Sequence, residues 1–234
     1  ARSLWYARRR MTDTAEQSRA RALVALREAL PARTLRIDER ARKPFESDGL
    51  NALRELPWVV ALPDTVDQVR QILAICHRFG IPVVPRGAGT GLSGGARPRA
   101  DGLLLGLSRL NRILEIDLNN AVMRVEPGVR NLAMSEAAAP HGLYYAPDPS
   151  SQIACTIGGN VAENSGGVHC LKYGLTLHNV MKVKGLTIEG EWIEFGGDAL
   201  DAPGLDLLPL VVGSEGMLAI TLEVTVKLTP KPQL

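Results

Sequence analysis

The run Pro85-Arg86-Gly87-Ala88-Gly89-Thr90-Gly91-Leu92-Ser93-Gly94-Gly95 constrains this chain more than any other feature, because it places five glycines in eleven residues directly after an apolar segment. Ile81-Pro82-Val83-Val84 reads as a short strand, so the glycines fall in the loop at its carboxyl end. Glycine tolerates positive φ and, lacking Cβ, lets a ligand approach the main chain. Successive N–H groups in such a loop can cradle phosphate oxygens. The plainer alternative is a flexible surface loop. Two common phosphate motifs are disfavoured. Leu92 stands where GxGxxG needs its third glycine and no helical pattern follows, against a Rossmann NAD site; no Lys follows the second glycine of a Walker pattern.

The surrounding elements place that loop. Residues 14–30 set Ala22, Leu23, Leu26 and Leu30 on one face of a helix that Pro31 ends. Residues 38–50 are charged and finish in Ser47-Asp48-Gly49, a turn signal, before a buried strand at 58–62. Thr65, with Gln68 three positions on, forms a capping box for a helix whose face is Val66, Val69, Ile72, Leu73 and Cys76 and whose stop is Gly80. Strand, helix, strand makes a βαβ unit, with the glycine loop at its C-terminal edge. Beyond it, strands are expected at 102–107 and 113–117. The latter pairs with 121–125 across Asn119-Asn120. Residues 131–140 read as a helix, 181–188 and 191–195 as a hairpin about Glu189-Gly190, and 218–228 as a long strand. The fold class expected is α+β, with an N-terminal extension and entry helix in 1–47 and one domain at 48–232, divided near Asp101 into subdomains 48–100 and 101–232. Pro230 and Pro232 make 229–234 read as a linker, and the chain is expected to stop before a further domain.

Charge and cysteine content narrow the function classes. Lys plus Arg number 27 against 25 Asp plus Glu, and the net +2 gives no field suited to nucleic acid or an anionic membrane. Cys76, Cys155 and Cys170 form no CxxC pair, and the four histidines lack HExxH spacing. No metal site is therefore expected, and a reducing cytoplasm fits better than secretion. No apolar run approaches the roughly 18 residues of a membrane-spanning helix. The Arg-rich residues 1–10 precede Met11-Thr12-Asp13, which resembles a natural start, and are set aside.

Two further clusters carry chemistry. Pro147-Asp148-Pro149-Ser150-Ser151-Gln152 leads into Cys155-Thr156-Ile157-Gly158-Gly159-Asn160-Val161-Ala162-Glu163-Asn164-Ser165-Gly166-Gly167. Small residues, hydroxyls and carboxamides let a heteroatom-rich ring or sugar lie against the backbone on short hydrogen bonds. The plain alternative is two turns flanking a short helix. Gly213-Ser214-Glu215-Gly216 is the third cluster and alone would mean only a turn. His178 and Tyr173 are better read as structural than as proton carriers, and Cys155 and Cys170 as inert thiols, so no catalytic residue is assigned.

In this order and spacing the three clusters resemble the FAD-binding domain of the family that includes vanillyl-alcohol oxidase and p-cresol methylhydroxylase. Within it, the run from Ala138-Ala139-Pro140-His141-Gly142 through Tyr145-Ala146-Pro147-Asp148 to Lys172-Tyr173-Gly174 is similar to the FAD-containing subunits of bacterial glycolate oxidases, relatives of D-lactate and D-2-hydroxyglutarate dehydrogenases. The resemblance covers residues 48–232 and implies a two-subdomain fold of the p-cresol methylhydroxylase type with FAD between the subdomains. It implies that Arg86, Gly87, Ala88, Gly89, Thr90, Gly91 and Leu92 wrap the diphosphate. Pro147, Asp148, Ser151 and Thr156 would lie along the flavin and ribityl chain, continued by Gly158, Gly159, Asn160, Ala162 and Asn164. Glu215, Gly216 and Ile220 would hold the nucleotide end, although the family usually reads Thr and Gly where this chain has Met217 and Ala219.

Some relatives attach FAD through a His in the first loop. None stands at 85–95, which implies non-covalent binding. The resemblance further implies oxidation of a small 2-hydroxy acid, glycolate before D-lactate, to the 2-oxo acid, with a base and carboxylate grip from a second domain. Electrons would pass to partner subunits, a second flavin-type subunit and an iron–sulfur subunit, in a cytoplasmic protein at most peripheral to the inner face of the plasma membrane. The alternatives are a flavin-holding module without activity of its own and a reductase of the same fold.

Overall fold

The computed structural model describes residues 14–198 and 204–232. The Arg-rich start, Met11 and the last two residues of the Pro-containing end lie outside them. The chain opens with helix α1 (Ala15–Ala29), whose N-cap Thr14 accepts from Gln17 N while Gln17 returns a bond to Thr14 N, a complete capping box. Then come β1 (Leu35–Arg36), β2 (Val59–Ala61), α2 (Val66–Phe79), β3 (Val83–Arg86) and β4 (Leu103–Gly106). At α2 half of the expected box forms. Thr65 caps Gln68 N, but Gln68 Oε1 accepts from Asp64 N at 2.8 Å. Gly80 ends α2 in the left-handed region at φ 66°.

These strands form a four-stranded sheet in the order β1-β2-β4-β3, in which β2 and β3 both run parallel to β4. The βαβ unit β2–α2–β3 therefore leaves a slot that β4 fills. The first sheet thus runs to Gly106, since Leu103, Leu104 and Leu105 are buried and satisfy their main chain between two parallel neighbours. α1 and α2 pack on this sheet through Ala22, Leu26, Val69, Ile72, Leu73 and Cys76, all fully buried. Each large apolar side chain so buried stabilises the fold by about 1.5–3 kcal/mol.

The rest of the chain builds a five-stranded antiparallel sheet in the order β5-β6-β10-β8-β9, from β5 (Ile113–Asp117), β6 (Val122–Val125), β8 (Val180–Leu186), β9 (Trp192–Gly196) and β10 (Ile220–Lys227). Both expected hairpins form, and β10 pairs centrally between β6 and β8. Met123, Val125, Val183, Val224 and Val226 bury one face against α3 (Asn131–Ala138) and α4 (Ile157–Glu163), which contribute Met134, Ala138, Ile157 and Val161. Leu186, Ile220 and Leu222 instead join the first core, so β8 and β10 tie the two layers together. The expected linker also behaves differently at its start: β11 (Thr229–Pro230) pairs with β7 (Leu143–Tyr144) as a two-stranded edge, a position that tolerates proline.

Candidate functional site

The glycine loop leaves the carboxyl end of β3 and runs along α4, from Gly87 beside Thr156 and Gly159 to Gly91 and Ser93 beside Glu163. Its underside is shaped by Arg86. The guanidinium stacks 5.9 Å from the centroid of the Phe45 ring and donates from Nη1 to Phe45 O at 3.3 Å. Burial lowers the Arg86 pKa, opposed by the nearby Asp48 charge; an arginine so placed stays cationic. Gly89 passes directly over it at φ 70°, and a Cβ there would overlap the guanidinium. Among the described residues, none of the N–H groups from Ala88 to Gly95 donates to a protein acceptor. Water can pair such groups on an open loop, and a ligand can replace it, so they give the loop a row of donors beside a fixed positive charge.

α4 starts at Thr156, whose Oγ1 accepts from Gly159 N at 3.4 Å. Gly158 and Gly159 thus lie inside its first turn and do not flank it. Its last residue, Glu163, accepts from Ser93 Oγ at 2.8 Å and so ties α4 to the glycine loop. The third cluster docks on the same helix, with Gly213 N donating to Val161 O at 2.8 Å and Glu215 N to Ala162 O at 2.9 Å. Glu215 accordingly adopts φ 54°, uncommon for a non-glycine residue.

These segments enclose a cavity of about 790 Å³. Residues 86–92 line it, with Ser151, Thr156, Gly158, Gly159, Asn160, Ala162, Asn164, Glu215 and Gly216. Three residues singled out from the sequence do not. Pro147 uses its carbonyl to accept from Asn131 Nδ2 at 3.1 Å. Asp148 is bonded to His169. Ile220 is buried in the first core, while its neighbours Ala219 and Thr221 reach the wall. Asn160 borders the cavity but is itself buried, its Oδ1 accepting from Asn131 Nδ2 at 3.0 Å and its Nδ2 donating to Cys155 Sγ at 3.4 Å.

Sequence reasoning passed over other wall residues. Glu163, Gly166, Gly167, Pro149 and Ser150 sat inside a recognised cluster and could have been named. Leu107 and Pro127 carry no local signal and arrive through the tertiary fold. Among the described residues the wall holds Arg86, Glu163 and Glu215 as its charged groups and has no histidine or tyrosine. His178 Nδ1 accepts from Leu175 N at 3.1 Å. Tyr173 packs edge-on to Tyr144, with Lys172 Nζ 4.9 Å from its ring centroid. The Tyr144 hydroxyl and Lys172 lower the Tyr173 pKa, while burial and Tyr173 push Tyr144 up to about 12.

A two-layer α+β fold whose cavity wall is a glycine loop with unpaired N–H groups and one half-buried arginine fits a domain for a phosphate-bearing nucleotide cofactor. More narrowly, the chain belongs to the FAD binding domain family, whose model matches residues 57–196. It is 59% identical over 214 residues to the glycolate oxidase subunit GlcD of Escherichia coli K12, covering 92% of this chain and 43% of that one. It is 35% identical over 209 residues to a D-lactate dehydrogenase of Anaerostipes hadrus, covering 88% and 44%. An alkyldihydroxyacetonephosphate synthase structure superposes with a TM-score of 0.81 at 22% identity, covering 92% of this chain and 41% of that one, a likeness of fold. The chain thus spans less than half the length of these relatives. No helix among the described residues is long and apolar enough to cross a membrane.

Proposed function

We propose that the cavity holds FAD without a covalent bond, and that the protein oxidises a small 2-hydroxy acid to the 2-oxo acid. The observation that carries the cofactor placement is the run of unpaired N–H groups from Ala88 to Leu92 in the cavity wall, with Gly89 directly over the Arg86 guanidinium. An anionic diphosphate matches such donors, and burial of Arg86 strengthens its field. Ser151 Oγ, the Thr156 O–H and Asn164 Nδ2 remain to donate to the other polar groups, since Thr156 Oγ1 and Asn164 Oδ1 already accept within the chain, with Glu215 and Gly216 at the nucleotide end. The loop's lack of a histidine supports a non-covalent cofactor. Bound there, FAD supplies a two-electron acceptor that no side chain can replace. The chain's own part is to bind, orient and charge-balance it.

The hydroxy-acid substrate, glycolate before D-lactate, follows from the names of the relatives. Assembly with further subunits is supported by the word subunit in the name of GlcD. That these are a second flavin-type and an iron–sulfur subunit, and that the protein is cytoplasmic and at most peripheral to the membrane, is what the family resemblance implies. We further propose that two subdomains, one around each sheet, flank the cofactor. Titration of the unliganded protein with FAD tests the placement. Quenching of flavin fluorescence with saturation at one equivalent is expected, and protein that leaves FAD free in solution would sink it. One observation favours a second reading, a flavin-holding module: the wall lacks any histidine or tyrosine to accept the hydroxyl proton. Glycolate-driven reduction of a dye by this chain alone would exclude that reading.

A further inference from the structure

Asp148 stands beside the cavity without lining it, and its carboxylate binds one residue twice. Oδ1 accepts from the main-chain N–H of His169 at 3.1 Å, and Oδ2 lies 2.5 Å from His169 Nδ1, the ring nitrogen supplying the proton. The chain on either side forms wall: Pro149, Ser150 and Ser151 after Asp148, and Gly166, Gly167 and Val168 before His169. Contact continues at Gly167, where a Cβ would overlap both the carbonyl and the carboxylate of Asp148. The turn is otherwise held from its ends, where Ser165 N donates to Asn160 O at 3.1 Å, Thr176 N to Ser165 O at 3.0 Å and Cys170 N to Gly167 O at 3.2 Å, and where Gly166 lies against Leu175. Val168 is 86% exposed, and among the described residues the N–H groups of Gly166, Gly167 and Val168 donate to no protein acceptor.

We propose that Asp148 and His169 form a positioning pair, which holds the Gly166-Gly167-Val168 turn in the cavity wall so that its three unpaired N–H groups are pre-set for the bound cofactor. The pair acts through the turn and touches no ligand. A turn of small residues whose one large side chain, Val168, is exposed loses binding-competent geometry when its tie is cut, because the ordering it provided must then come from the ligand. The His169 side chain is 61% exposed, so the tie is reached by water and acts by geometry more than by charge. The proposal rests on FAD as occupant, but its first test does not.

Hydrogen exchange of the unliganded protein reads the tie itself. In His169→Ala the amides at positions 169 and 170, which donate to Asp148 Oδ1 and Gly167 O, should exchange faster, while in His169→Asn, whose Nδ2 can take the place of ring Nδ1, they should exchange as in wild type. FAD titration reads the consequence: affinity should fall about tenfold in His169→Ala and Asp148→Ala, the scale of one charge-assisted hydrogen bond, and be restored in His169→Asn. Unchanged exchange in His169→Ala, or His169→Asn as impaired as His169→Ala in either measurement, overturns the pair. If wild type binds no FAD, the cofactor reading falls while the exchange arm still decides the tie.

Discussion

Among the described residues the loop at 88–95 leaves its own N–H groups unpaired and takes its shape from Arg86 beneath it and Glu163 beside it, whereas the segment at 147–167 commits most of its polar groups to the protein. In the second, the Pro147 carbonyl, the Asp148 carboxylate, the Asn160 carboxamide, Thr156 Oγ1 and the Asn164 side chain, which accepts from Leu177 N at 3.0 Å, all bond within the chain. The same cavity is thus bounded on one side by main chain kept available and on the other by side chains already engaged. A polar residue near a ligand is therefore weak evidence of contact, because burial forces it to find a partner and the protein is the nearest supply.

Substitutions can break this contrast. The largest effect is expected at Gly167→Ala, where the new Cβ meets the backbone of Asp148 and the turn must move; FAD affinity should drop about a hundredfold, ~2.7 kcal/mol, by fluorescence titration. Arg86→Gln removes the fixed charge under the glycine loop. Affinity should fall about thirtyfold and lose much of its dependence on salt, measured by the same titration from low to high ionic strength; an unchanged salt dependence would place the diphosphate elsewhere. Asn160→Ala separates an engaged residue from a free one. It should lower the stability of the unliganded protein by about 1–3 kcal/mol in urea denaturation, since Asn131 Nδ2 and Cys155 lose a buried partner, while Ser151→Ala leaves the denaturation midpoint unchanged. Ile220→Val is the mildest, with about 0.5–1.5 kcal/mol of stability lost and FAD affinity retained, as a core position predicts.

The secondary elements were largely legible because their signals are local. Thr65 and Gly80 bracket α2, Asn119-Asn120 and Glu189-Gly190 mark the two hairpins, and the face of Val69, Ile72, Leu73 and Cys76 is the buried one. The place of β4 was not legible: four residues of Leu and Gly read as a strand wherever they go, and only the slot between β2 and β3 assigns them to the first sheet. For the same reason nothing local at Ile220, an alternating strand residue like any other, assigns its side chain to the first core, and a role there for a ligand would rest on its backbone.

What the sequence by itself determined is the glycine loop: a density of residues without Cβ after a strand is a statement about main-chain conformation, and main-chain conformation is set within a few residues. What only the tertiary structure decided is which polar groups remain for a ligand. Asp148 turns to His169, Asn160 turns to Asn131, and Leu107 and Pro127 close the wall, because hydrogen-bond partners and neighbours are supplied by segments tens of residues away whose approach is fixed by packing.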